Sequence, residues 1–505
     1  MDNASRVVIN TIAQYTRMVI NICLTLYSTR LVLSALGVND YGIYTLIAGT
    51  VSLLSFIVNA MVVTTQRYMS FFYGRGEREK LKEILCNSIF IHFLFGVIIA
   101  TLIEVVGLFL FDGFFNIATE RLSVAHSVYH GVTLMLVITF LSAPFRALLI
   151  AHENIVYISA IDVIDGVLKL LVAIFILNAE GDKLIIYTIF LCLIQIFNLL
   201  AFSLYDFLKY EECIMPQIRY IRLRYISEIS SFAGWTIFST GCVVGRTQGF
   251  SIILNKFFSV SVNAAFGIAL QVNGAVHQLS SALMNAMNPQ IVKSEGSGNR
   301  GKMIRLSEIE SKLCFLLICF AAVPCIVEMP QLLSFWLKET PEHAVFFCRC
   351  VLVASIMDQL TIGLTTANQA IGDIKLYSLV VNPIKILSLV PIIISLYFGG
   401  SLLYCMFFYV FFEFLCAIAR LALLRFTAKI SIRGFIRRVF LPELIPFLSI
   451  LFCSVFLRYI FNFQYSFIIN IVLSIFIGCY VSYIFGLCSD EKNIVNGIIS
   501  KYSKK

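Results

Sequence analysis

The 505-residue chain is 59% hydrophobic and only 13% charged, with a net charge of +9 and a mean hydropathy of +0.89. Soluble domains carry about 25% charged residues. A water-soluble core of this size is therefore excluded, and the chain reads as an all-α, polytopic membrane protein. The positive balance fits basic cytoplasmic loops and gives no reason to expect nucleic acid as a partner.

The first apolar segment, 7–35, is long enough to cross a bilayer, which takes about 20 apolar residues. It nevertheless carries Asn10, Gln14, Arg17, Asn21, Thr25 and Ser28. Steps of four, three, four, four and three place these on one narrow side of a helix. An arginine at mid-membrane costs about 2.5–3.5 kcal/mol on insertion scales and normally faces a bundle interior or a water-filled cavity. Arg17 is thus expected either to line a hydrated, cationic space or to pair with an acid on a neighbouring helix. No n-region, h-region and cleavage site precede a soluble body, so no cleaved signal peptide is expected.

Thirteen further segments follow, about fourteen in all: 41–65, 85–111, 123–145, 155–178, 184–206, 229–254, 260–287, 311–337, 345–369, 376–398, 402–424, 442–461 and 465–488. Short turns such as Gly37-Val38-Asn39-Asp40 join several of them. Alternate connections are basic. The second-to-third holds Arg67, Arg75, Arg78, Lys80 and Lys82, and the sixth-to-seventh holds Lys209, Arg219, Arg222 and Arg224. The eighth-to-ninth and twelfth-to-thirteenth continue this, as does the tail with Lys492, Lys501, Lys504 and Lys505. The other connections carry only Arg121, Lys183, Lys256, Lys338 and Arg458. Basic loops stay on the cytoplasmic side, so both termini are expected there, which an even number of spans allows.

A repeat links the two halves. Asn59-Ala60-Met61 recurs as Asn285-Ala286-Met287, Gly42 matches Gly267, and Gly74-Arg75-Gly76 matches Gly296-Ser297-Gly298. The offset spans six segments, an even number, so the halves are expected to be parallel repeats. The predicted division is 1–225 for an N-lobe with its hinge loop, 226–430 for a C-lobe, and 431–505 for two extra segments and a tail. The 15 cysteines lie mostly in apolar segments and form no CxxC or zinc-like spacing, so no metal or cofactor is expected.

Charges inside the membrane are the candidate site. By the repeat, the seventh segment corresponds to the first; it carries Arg246 with Gln248 amid small residues. Guanidinium is planar, permanently charged and bidentate, and suits phosphate. Asp162, Asp165 and Lys169 share a helix face in the fifth segment, either as a self-neutralising Asp165–Lys169 pair or as a relay for a proton or cation. The tenth segment has Asp358, and the eleventh has Asn382-Pro383-Ile384-Lys385, where proline frees carbonyls at a kink. The twelfth has Glu413 and Arg420. Arg30 and Arg146 stand near segment ends, where they can snorkel. There is no Walker A, nucleophile elbow or HExxH motif, so the chain is not expected to be an enzyme.

The run STRLVLSALGVNDYGIY, ending at Tyr44, and Thr65-Gln66-Arg67-Tyr68-Met69-Ser70-Phe71 resemble the polysaccharide-exporter branch of the multidrug/oligosaccharidyl-lipid/polysaccharide (MOP) superfamily. Phe232-Ala233-Gly234-Trp235 through Leu254-Asn255-Lys256-Phe257-Phe258, then Val262-Asn263-Ala264-Ala265 and Asn288-Pro289-Gln290-Ile291, are similar to Wzx-type lipid-linked oligosaccharide flippases of Bacteroides-like bacteria. Ser259 departs from the glycine expected there. The resemblance implies a two-lobed exporter, MATE/MOP-like in fold, in a bacterial inner membrane. It would turn undecaprenyl-pyrophosphate-linked repeat units to the periplasmic leaflet for surface polysaccharide such as O-antigen or capsule, with membrane lipids and a polysaccharide polymerase as partners. On this reading Arg17, Arg246, Asn10, Gln14, Asn21, Gln248 and Arg30 line the cavity, and Asp162, Asp165, Lys169, Asp358, Lys385 and Pro383 couple or gate it. Two alternatives stand beside it: a MATE-type cation-coupled antiporter, which would favour acids over Arg17 in the N-lobe, and a membrane glycan polymerase or ligase, which would need a large periplasmic loop.

Overall fold

The computed structural model describes residues 3–488 apart from 53, 112–116, 215, 259, 338–339, 462 and 464, together with 491 and 492. Ser259, Lys338, Lys501, Lys504 and Lys505 lie outside the described residues. The fold is all-helical, and every one of the fourteen predicted segments is helical among the described residues. In chain order the helices are α1 (Asn3–Ser52), α2 (Ser55–Arg75), α3 (Arg78–Phe109), α4 (Leu122–Ala151), α5 (Ile155–Phe175), α6 (Lys183–Lys209), α7 (Leu223–Phe257), α8 (Val260–Gly296) and α9 (Arg300–Trp336). There follow α10 (Ala344–Gln359), α11 (Ile362–Ile371), α12 (Ile374–Val380), α13 (Asn382–Leu387), α14 (Leu389–Tyr397), α15 (Leu402–Thr427), α16 (Ile432–Phe435), α17 (Leu441–Ile460) and α18 (Ser466–Val481).

Among the described residues ten helical stretches are long and apolar enough to cross a membrane unaided, or eleven when the bent pair α10–α11 is taken as one span. The predicted segments 41–65, 155–178 and 260–287 fall short of that test. For α5 the physical reason is charge: it holds Asp162, Asp165 and Lys169 within eight residues. Helices that carry charge need neighbours to cover it, so their hydropathy alone understates them.

α1 runs through the predicted first turn and is broken only at Gly37, whose φ of 76° lies in the left-handed region that glycine enters without steric cost. The turn between α10 and α11 bends the axis by 43°. The predicted eleventh segment is three short helices, and Pro383 stands in the first turn of α13, where its missing N–H is tolerated.

The chain forms two compact units, Val8–Ile237 and, with Met1–Val7, Phe238–Lys505. The division falls inside α7. In the N-terminal unit a core of Val32, Val172, Ala173, Ile176, Leu191 and Ile194 joins α1, α5 and α6. The segment after α6 is pinned to α3, because Asn87 donates to the Tyr220 carbonyl (2.9 Å) and accepts from the Arg222 amide (2.9 Å). In the C-terminal unit a larger core runs through α7 to α10, α14, α15 and α17, and α17 and α18 pack on α9. Gly363 on α11 is required by close approach: a Cβ there would stand 2.1 Å from the Ser307 carbonyl oxygen of α9.

Candidate functional site

The polar stripe of α1 is laid against α5 and the turn before it. Asn10 donates to the Glu153 carbonyl (3.0 Å), Arg17 is ion-paired with Asp162, Asn21 abuts Gly166, and Ser28 lies 3.5 Å from the Lys169 carbonyl. The partner numbers rise together, so α1 and α5 run in the same direction along this seam. The expectation of an open space is corrected for Asn10 and Gln14, which are buried; what remains open beside the seam is a cavity of about 180 Å³. Thr25, Ser28, Tyr41, Tyr44, Lys169 and Tyr187 line it. That is room for several waters, each of which needs about 10–15 Å³ by this measure.

Asp162 is the focus of the seam. Arg146 of α4 grips it with both terminal nitrogens (3.0 and 2.9 Å), and Arg17 binds the same carboxylate from α1. Two cations thus share one anion. Neither is fully covered, with Arg17 24% and Arg146 33% exposed. One turn on, Asp165 pairs with Lys169 (2.7 Å) and accepts from Asn198 (2.7 Å). The self-neutralising pair is therefore formed, while Asp162 turns to the two arginines. Arg146 does not snorkel away but holds Asp162. Arg30 is exposed.

The C-terminal unit holds a second cluster, built as a chain. Arg246 of α7 meets Glu413 of α15 (2.6 Å), and Glu413 meets Lys385 of α13 (3.1 Å). Lys385 donates to Asp358 of α10 (2.9 Å), which also accepts from Arg420 of α15 (2.7 Å). The Arg246 guanidinium lies 4.0 Å over the Tyr409 ring. Arg420 also donates to the Asp358 carbonyl (3.0 Å), Thr361 Oγ1 (3.2 Å) and the Tyr377 hydroxyl (3.1 Å). It thereby satisfies backbone where α10 breaks off from α11. Gly245 and Gly249 let α7 close on Ile386 and Leu389, as small residues do at helix crossings.

The expectation that Arg246 lines a hydrated cavity is corrected too. Its side chain is 7% exposed and faces Glu413 and Tyr409. Gln248, two residues on, is exposed and takes no part in the chain. Asp358 and Lys385 are joined directly, and Pro383 sets the start of the short helix that carries Lys385. Sequence reasoning gave Arg146, Glu413 and Arg420 too little weight. A signal was present, because antiparallel helix neighbours juxtapose residues equidistant from their turn. Arg146 and Asp162 lie eight residues either side of Asn154, and Lys385 and Glu413 fourteen either side of Gly399.

No protein-family model matches the chain, and no curated protein matches it. Solved structures do. The crystal structure of a MATE mutant superposes with a TM-score of 0.74 over 85% of this chain and 97% of that one, at 14% identity. A MOP superfamily transporter from Pyrococcus furiosus, described as having reversed polarity of its binding pocket, gives 0.73 over 85% and 96%, at 13% identity. The MATE transporter ClbM in complex with Rb+ gives 0.71 over 86% and 96%, at 15% identity. The chain has the MATE/MOP transporter fold and is a multi-pass membrane protein.

Proposed function

We propose that the protein is an alternating-access exporter that turns a lipid-linked oligosaccharide with an anionic pyrophosphate head from the cytoplasmic to the periplasmic leaflet of a bacterial inner membrane, both termini being cytoplasmic. One observation carries this reading: Arg17 and Arg146 share the single carboxylate of Asp162. An excess positive charge is left on a seam within the membrane. An uncovered guanidinium there meets either acyl chain or water, and acyl chain is the costly choice, so the seam is wet. Two guanidiniums can take a phosphate oxygen pair bidentately. The lipid tail stays in the bilayer, and only the head needs enclosing. This reading keeps Arg17, adds Arg146 and leaves out Arg246, which Glu413 and Tyr409 already occupy. A polymerase that consumes the flipped units would be the next partner, for surface polysaccharide.

A cation-coupled antiporter is supported by a different observation: α5 places Asp162 and Asp165 on the same seam, and MATE transporters share the fold. One reconstitution separates the two. In vesicles loaded with a labelled lipid-linked oligosaccharide, the expected result is flipping that persists without a cation gradient and falls at least tenfold in Arg17→Ala/Arg146→Ala. Cation-driven efflux of an organic cation, lost in Asp162→Asn and with no glycolipid flipping, would assign the protein to the second class instead.

A further inference from the structure

Away from the seam, the N-terminal unit has a cavity of about 450 Å³ where α2 and α6 end and α3 begins. Small-molecule sites run from about 300 to 1,000 Å³. Gly76, left-handed at φ 72°, turns the chain so that Tyr73 and Arg78 line the same hollow. The inner wall is aromatic and firmly held. His152, just past α4, stacks on Tyr210 at 3.9 Å and meets the edge of Tyr73 at 4.7 Å. Its Nε2 lies 2.5 Å from Glu212 Oε1. Asn154 donates to the Tyr210 and Tyr205 hydroxyls (3.3 and 2.8 Å), and Tyr205 in turn stacks on Tyr157. At the rim Arg78 and Glu211 pair at 2.9 Å with both side chains mostly exposed. Tyr73 is 42% exposed beside them.

The charges decide what such a hollow takes. Apart from the His152 imidazole, the wall's charges are Arg78 and Lys209 against Glu211 and Glu212, and these four sum to zero. A phosphate-bearing ligand would call for cation excess and an organic cation for acid excess. What suits a balanced set of donors and acceptors around an aromatic wall is a neutral ring rich in hydroxyls. Carboxylates accept from its hydroxyls, Arg and Lys donate to them, and its C–H face packs on an exposed tyrosine.

We infer that this cavity is a carbohydrate subsite, binding one or two neutral sugar rings apart from the Arg17–Asp162–Arg146 seam. Its place in transport, as the point where the glycan of a cargo is first held, rests on the exporter reading; the binding itself does not. The basic connections that follow α2 and α6 put this end on the expected cytoplasmic, loading side.

The test uses the full chain in nanodiscs and saturation-transfer NMR with neutral methyl glycosides, with inorganic pyrophosphate as the anionic competitor. Transfer is expected to concentrate on the C–H protons of one ring face and to be unchanged in 0.5 M salt. It should fall at least tenfold in Tyr73→Ala while Tyr73→Phe, which keeps the ring, binds as the parent does. Full transfer in Tyr73→Ala, equal loss in both Tyr73 variants, displacement by pyrophosphate, or no transfer from any glycoside would each overturn the subsite. Arg17→Ala/Arg146→Ala should bind glycoside normally. Glycoside binding by a parent protein that flips no glycolipid would sink the exporter reading and leave the subsite standing.

Discussion

Two groups of five charges, one in each unit, agree in sum: three cations against two carboxylates. In the N-terminal unit these are Arg17, Arg146 and Lys169 with Asp162 and Asp165, and in the C-terminal unit Arg246, Lys385 and Arg420 with Asp358 and Glu413. The difference lies in coverage. The first set is partly open, with a cavity beside it, whereas in the second Glu413 and Arg420 are 3% and 4% exposed. Composition and sign therefore do not assign a role. A guanidinium that still meets water can exchange a carboxylate for a passing anion. One enclosed by a carboxylate and a tyrosine ring, as Arg246 is, is committed to packing, while Arg420 of the same cluster holds the break between α10 and α11.

The contrast is broken or sharpened first by Asp358→Ala. It strips Lys385 and Arg420, only 8% and 4% exposed, of a shared partner, and deleting one member of a buried pair costs about 3–5 kcal/mol. Loss of the monodisperse peak in detergent size-exclusion is the expected outcome. Next comes Gly363→Ala, which forces a methyl into the Ser307 carbonyl and should cost about 1–3 kcal/mol as overpacking does. Thermal melting of the purified protein reads it directly. Arg17→Ala should cost less than about 1 kcal/mol, since Asp162 keeps its two bonds to Arg146 and the pair is partly solvated. Were Arg17→Ala to melt as early as Asp358→Ala, coverage would not separate the two clusters.

The membrane class, the helical content and the placement of most helices were legible in the sequence, because long apolar runs leave few alternatives. The kink at Gly37 was legible as a turn for the reason that only glycine sits easily at that φ. The seam was half legible. Periodicity put Asn10, Arg17, Asn21 and Ser28 on one side of α1, but periodicity cannot say whether that side meets water or another helix. The answer depends on α5, whose Gly166 admits Asn21 and whose Asp162 meets Arg17. Arg246 was misread for the same reason: its partner Glu413 lies 167 residues away, and nothing local marks the pairing.

The smallest effect belongs to the open unit's loop end and tests the comparison from outside the membrane. Glu212 is buried beside His152. Burial pushes its carboxyl up, but the hydrogen bond and charge of His152 pull it down further, so it sits below the usual glutamate range. A depressed carboxylate adds stability above its unfolded value, about 4.3, and that stability is lost as pH falls through the lower folded value. Glu212→Gln should therefore melt about 2–4 °C below the parent at pH 7, as roughly 1 kcal/mol does in a unit of this size. The gap should close as the pH is taken below 4. A gap that persists unchanged below pH 4 would mean that the charge of Glu212 contributes nothing at this end.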